Sequence, residues 1–165
     1  MQIVSNTTPI SELYKIGQLE LLQRVYNRIL IPEAVLQELQ RARTLPRLGR
    51  AVEQTGWIEI HALRHPDKIQ EMLSHYSSID AGEAAAIILA QELGANRIII
   101  DDKRARQVAQ AEGLAVIGTV GVVLLGHRLR RVTTPQAQVI LDQLYAGTAY
   151  ISANLYRDAC RQLQG

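Results

Sequence analysis

The chain has 165 residues, 47% of them apolar and 21% charged, which suits one compact domain over residues 1–165 and leaves little room for two. No run approaches the roughly 18 uninterrupted apolar residues of a membrane span, and the amino terminus lacks the basic-then-apolar layout of a secretion signal, so a cytoplasmic protein is expected. A net charge of +2 selects no partner by itself, and the lone Cys160 excludes an internal disulfide and a thiolate metal site.

A first strand is expected at Gln2 to Ser5, ending at Asn6, with Thr7 and Thr8 in the turn that follows. The second strand is Arg28 to Ile31. Pro32 then suits the first position of a helix, in which Glu38 borders an apolar face of Ala34, Val35 and Ala42. The third strand is Trp57 to Ala62. Asp80 and Glu83 have the spacing of a capping box ahead of a helix from Ala84 to Leu93, stopped by Gly94. The fourth strand, Arg97 to Ile100, runs into Asp101 and Asp102, and Asp102 can cap a helix from Ala105 to Glu112. Leu114 to Ile117 is the fifth. Three helices follow, at Val120 to Leu129, at Pro135 to Tyr145 behind Thr134, and at Ala153 to Leu163 behind Ser152, the last carrying Cys160 as a core thiol. Strands alternating with helical stretches, without repeats or linkers, predict an α/β fold around a largely parallel sheet.

Ligands of open parallel sheets bind beyond the carboxyl ends of the strands. Asn6 and Asp101 close strands, Thr7, Thr8 and Asp102 lie just past them, and Glu38 and Glu83 lie on helices that could face the same edge. An oxygen-only set of this kind suits Mg²⁺ or Mn²⁺ better than zinc or copper, and clustered carboxylates need a cation to stay ionised together. Each residue also has an ordinary reading: Asp80, Glu83 and Asp102 as helix caps, Glu38 as a solvated side chain. The four histidines have no metal-ligand spacing, and Gly118-Thr-Val-Gly121 is too poor in glycine for a nucleotide fingerprint. Basic residues gather at Arg41, Arg43, Arg47 and Arg50, at Lys103, Arg104 and Arg106, and at His127, Arg128, Arg130 and Arg131. Groups flanking an acidic centre suggest a polyanion held at its rims. With aromatics at 4% and no Phe, recognition of nucleic acid would rest on phosphate contacts rather than base stacking.

The segments Ile3-Val-Ser-Asn-Thr-Thr-Pro-Ile10, Ile31-Pro-Glu-Ala-Val-Leu-Gln-Glu38-Leu39, Asp80-Ala-Gly-Glu83-Ala-Ala-Ala-Ile87, Ile100-Asp-Asp-Lys-Arg-Ala-Arg106 and Tyr150-Ile-Ser-Ala-Asn-Leu-Tyr156 occur in an order that resembles the PIN-domain family, in the branch related to type II toxin-antitoxin ribonucleases. The resemblance implies a three-layer α/β/α fold with a parallel sheet in the order 3-2-1-4-5. It also implies a Mg²⁺- or Mn²⁺-dependent endoribonuclease, toxin-like, with RNA as substrate, a small antitoxin as partner, and a homo-oligomer such as a dimer. The family's first-strand aspartate falls on Asn6, its second-helix acid on Glu38, its third on Glu83 and its last on Asp102 or Asp101. Asn6, Glu38, Glu83, Asp101 and Asp102 are thus the candidate metal ligands, the four acids among them the catalytic candidates. Thr7 and Thr8 are their supporting donors, and Lys103, Arg104, Arg106, Arg128 and Arg130 the candidate RNA contacts. Asn6 departs from the pattern, since an amide oxygen can ligate but brings no charge. The alternative of another class is a catalytically weak module that binds RNA or a partner protein. A receiver-like signalling domain fits less well, because its first strand would need acids.

Overall fold

The computed structural model describes residues 1–148 and 150–165. Five strands form one parallel sheet in the order β3-β2-β1-β4-β5, as predicted: β1 (Ile3–Ser5), β2 (Ile29–Pro32), β3 (Ile58–His61), β4 (Arg97–Ile99) and β5 (Val116–Ile117). The inner strands are buried on both faces, which accounts for their unbroken apolar character. In register, Val4 faces Leu30 on one side and Ile98 on the other, and the Asn6 N–H extends the ladder to the Ile99 carbonyl at 2.9 Å.

The helices described are α1 (Thr7–Lys15), α2 (Glu20–Tyr26), α3 (Glu33–Gln40), α4 (Leu48–Gln54), α5 (Lys68–His75), α6 (Ala81–Glu92), α7 (Lys103–Ala111), α8 (Thr119–Arg128), α9 (Thr134–Gly147) and α10 (Ala153–Gln164). They give the three-layer α/β/α architecture. α6 is apolar all round, with Ala84 to Ala90 buried, because it lies on β1, β2 and β4 beneath α3 and α5. Its alanines let the helix approach closely. A second group, α2 with α8, α9 and α10, packs together, and Tyr145 of α9 stacks on Tyr156 of α10 at 4.4 Å between ring centres.

Local details differ from the sequence expectations in four places. Pro32 is the last residue of β2, opposite His61, and caps α3 in an extended conformation instead of opening it. Thr7 and Thr8 form the first turn of α1, not a preceding turn. α3 ends at Gln40 with Arg41 as its cap, so Ala42 lies beyond the face it was expected to share with Glu38. The cap of α9 is Thr133, which forms a capping box with Gln136; Thr134 is already helical. Cys160 is half-buried against the core and within 3.2 Å of Gln138 Nε2.

Candidate active site

The carboxyl edge of the sheet gathers Asn6 after β1, Glu38 on α3, Asp80 and Glu83 at the start of α6, and Asp102 after β4. Asn6 occupies the cap position of α1 without using its side chain as a cap. The residue is 4% exposed, and its Oδ1 is buried with no hydrogen-bond partner among the described residues. An orphaned buried carbonyl is costly and calls for a donor or a cation.

Glu38 is placed by close packing of α3 on α6. Its carboxylate lies against the Gly82 backbone, where any Cβ would overlap Glu38 Oε1. Its Oε2 accepts from the Thr7 hydroxyl at 2.5 Å. Burial raises the Glu38 pKa above the usual carboxylate range; the Thr7 bond and Arg41 oppose the shift and Asp80 adds to it. Glu83 forms the expected capping box: its Oε2 accepts from the Asp80 N–H at 2.9 Å, and its own N–H donates to Asp80 Oδ1 at 2.8 Å. Burial pushes the Glu83 carboxyl up to about 7, against the Asp80 N–H and with help from the charges of Asp80, Asp102 and Glu38. Asp102 Oδ1 accepts from the Ala105 N–H at 2.9 Å and caps α7.

Each of Glu38, Glu83 and Asp102 therefore has one oxygen engaged by a protein donor, and the other takes no hydrogen bond among the described residues. No three His, Cys, Asp or Glu side chains are drawn to a common point among the described residues. Mutual repulsion and these local donors account for the spread. The donor set still fits a hard divalent cation, since it combines half-buried carboxylates that resist ionisation with an amide oxygen lacking any partner.

The structure does not bring every expected residue to this group. Asp101 is turned toward α8, where its Oδ1 and Oδ2 accept from the Thr119 N–H at 2.7 Å and the Thr119 hydroxyl at 2.6 Å. Thr8 offers its carbonyl to Ser11, while Thr7 reaches Glu38. Lys103 and Arg104 are exposed on the first turn of α7 beside Asp102, and half-buried Arg106 lies against Asp101 and Gly118. Arg128 and Arg130 are a correction to the picture of basic rims. α8 starts at the carboxyl edge and extends about 15 Å away from it, so its last turn lies at the amino edge, where Leu129 lines a cavity with Met1 and Arg97.

Two residues escaped the sequence reading. Glu12 of α1 is 7% exposed, pairs with Lys15 at 2.8 Å and adds its charge to the surroundings of Asp101. Its i, i+3 spacing from Lys15 is that of an ordinary surface pair and carries no sign of burial. Thr119 belongs to the Gly118-Thr-Val-Gly121 segment, whose signal was spacing after the fifth strand and not its glycine count.

No helix among the described residues is long and apolar enough to cross a membrane. Comparison with curated proteins gives no match. The family comparison matches the PIN domain over residues 2–165, nearly the whole chain, in agreement with the strand order and the acids at its carboxyl edge. The chain belongs to the PIN-domain family and has a nuclease-type fold.

Proposed function

We propose that this protein is a divalent-cation-dependent endoribonuclease, the toxin-like member of a toxin-antitoxin pair. The observation that supports it most directly is the grouping of Glu38, Glu83 and Asp102 around one edge with the unpartnered Oδ1 of Asn6. Asn6, Glu38, Glu83 and Asp102 would hold Mg²⁺ or Mn²⁺, and a bound ion of this kind supplies an activated water and charge stabilisation for in-line phosphodiester hydrolysis. The protein's own part is positional. Thr7 fixes the Glu38 carboxylate, the Asp80 N–H fixes that of Glu83, and the Ala105 N–H fixes that of Asp102. Lys103 and Arg104 lie exposed on the first turn of α7, where they can steer the phosphates of a strand toward the acids, while Arg106 is held on the Asp101 side.

The test is cleavage of labelled single-stranded RNA by purified protein with Mg²⁺, with Mn²⁺ and with EDTA. Metal-dependent products that disappear in a Glu83→Gln variant are expected. RNA bound but uncut under every condition would support the second reading, a binding module, which the missing charge at Asn6 favours.

A further inference from the structure

The consecutive aspartates after β4 are equivalent in the sequence and opposite in the structure. Asp101 and Asp102 continue an extended segment, with Asp102 at φ −61° and ψ 129°, and neighbouring residues of an extended chain project to opposite sides. Asp102 faces the acids: its charge contributes to the environment of Glu83. Asp101 faces α8, and its two oxygens are both engaged by Thr119, the first residue of that helix, which is 2% exposed.

Asp101 lies at a junction of β4, α7 and α8, partly exposed, where it lines a cavity of about 230 Å³ with Arg106 and Gly118. Arg106 of α7 lies over it, with Nη1 at 3.5 Å from the Ile100 carbonyl, and its positive charge opposes the effect of burial on Asp101. Gly118 leaves room for both: a Cβ there would sit 2.6 Å from Arg106 Nη1 and 3.0 Å from Asp101 Oδ1. Both Asp101 oxygens are already tied by short bonds to one buried partner, which holds the carboxylate toward α8. Asp102 is less tied, since only its Oδ1 is engaged.

We infer that the pair divides its work: Asp102 is the metal-facing carboxylate, and Asp101 is a positioning residue that fastens the start of α8 to the end of β4 and so holds Asp102 in place. The inference rests on the metal reading of the site for Asp102 and on hydrogen-bond geometry alone for Asp101.

Four variants separate the roles: Asp102→Asn, Asp101→Asn, Asp101→Ala and Thr119→Val. Mn²⁺ affinity is read by titration calorimetry on each purified full chain, folding by melting, and RNA cleavage as kcat and KM. Asp102→Asn should weaken Mn²⁺ binding about ten-fold or more. Asp101→Asn should stay within about two-fold of wild type, because an amide can accept from the Thr119 N–H and donate to its hydroxyl. Asp101→Ala and Thr119→Val should each weaken Mn²⁺ binding about ten-fold and lower kcat with little change in KM. Their double variant should melt no lower than the worse single one, as expected for two halves of one contact. An Asp101→Asn protein that is folded yet loses as much Mn²⁺ affinity as Asp102→Asn would overturn the division. A wild type that takes up no Mn²⁺ would instead overturn the metal reading and the ligand half of the inference; additive melting losses for Asp101→Ala and Thr119→Val would overturn the junction itself.

Discussion

The two ends of α6 place carboxylates in opposite circumstances. At its far end Glu92 accepts from the Arg64 and His65 N–H groups at 2.9 Å each, and Glu112, the residue that closes α7, accepts from the Tyr76 hydroxyl at 2.7 Å and Gln91 at 2.8 Å. Those donors, led by Tyr76, hold Glu112 below the usual carboxylate range. At the near end Glu38 and Glu83 are raised by burial and face other acids. A cavity of about 560 Å³ lies at the far end among Lys68, Met72, His75 and Tyr76, away from the candidate ligands. Size therefore does not mark the candidate site. Carboxylates held together with too few donors are the better sign of function.

The comparison breaks most visibly at Gly82. A methyl group there overlaps the Glu38 carboxylate, so Gly82→Ala should reduce Mn²⁺ affinity at least ten-fold, roughly the scale of lost ligand support. Glu112→Gln, at the other end of the helix, should leave that affinity unchanged. Calorimetric titration of both proteins compares them, and equal Mn²⁺ binding by Gly82→Ala and wild type would remove Glu38 from the site.

Asn6→Asp sharpens the contrast from the other side by adding a charge to the acid-rich end. Metal affinity should rise by on the order of ten-fold, while the metal-free protein melts lower through added repulsion and regains stability with Mn²⁺. Melting curves with and without Mn²⁺ decide this; a variant that responds to Mn²⁺ no more than wild type does would place Asn6 outside the shell.

The two ends should also respond to pH with opposite sign. The folded-state value of Glu83 lies near 7, above the 4.5 of an ordinary glutamate, so the metal-free native state keeps a proton that the unfolded chain releases. Its stability should fall as pH rises from about 4.5 to 7 and level off above. Glu83→Gln should flatten that slope when melting temperatures are followed in EDTA. Glu112, with its value lowered, contributes stability above the unfolded value and loses it as pH falls, so Glu112→Gln should matter least in acid. The smallest effect belongs to Asp80→Ala, which loses the cap to Glu83 N–H at a cost of about 0.5–2 kcal/mol, read as a lowered urea midpoint.

Much of this arrangement was legible in local chemistry. The apolar strands, the Asp80–Glu83 box and the Asp102 cap depend on residues a few positions apart, and all three form as the spacing implies. The resemblance supplied the strand order. What stayed hidden depends on distant partners. Nothing within Ile100-Asp-Asp-Lys tells which aspartate turns inward, because the answer lies with Thr119, 18 residues on. The position of Arg128 needed the direction of α8, since charge alone says nothing about which edge of the sheet a residue borders. Glu12 needed the same kind of information, since its burial is a tertiary property that its spacing from Lys15 does not encode.

The single unengaged oxygen on each of Glu38, Glu83 and Asp102 bears on ion choice. Monodentate carboxylates and one amide oxygen suit the octahedral shells of magnesium and manganese, which leave positions for water and a phosphate oxygen. Calcium favours more oxygens and often a bidentate carboxylate, and here the second oxygen of each acid would be shared with the Thr7 hydroxyl, the Asp80 N–H or the Ala105 N–H. On the proposed reading, the hydrogen bonds that orient the acids also limit their denticity, and discrimination against calcium follows from the same groups that anchor α1, α6 and α7.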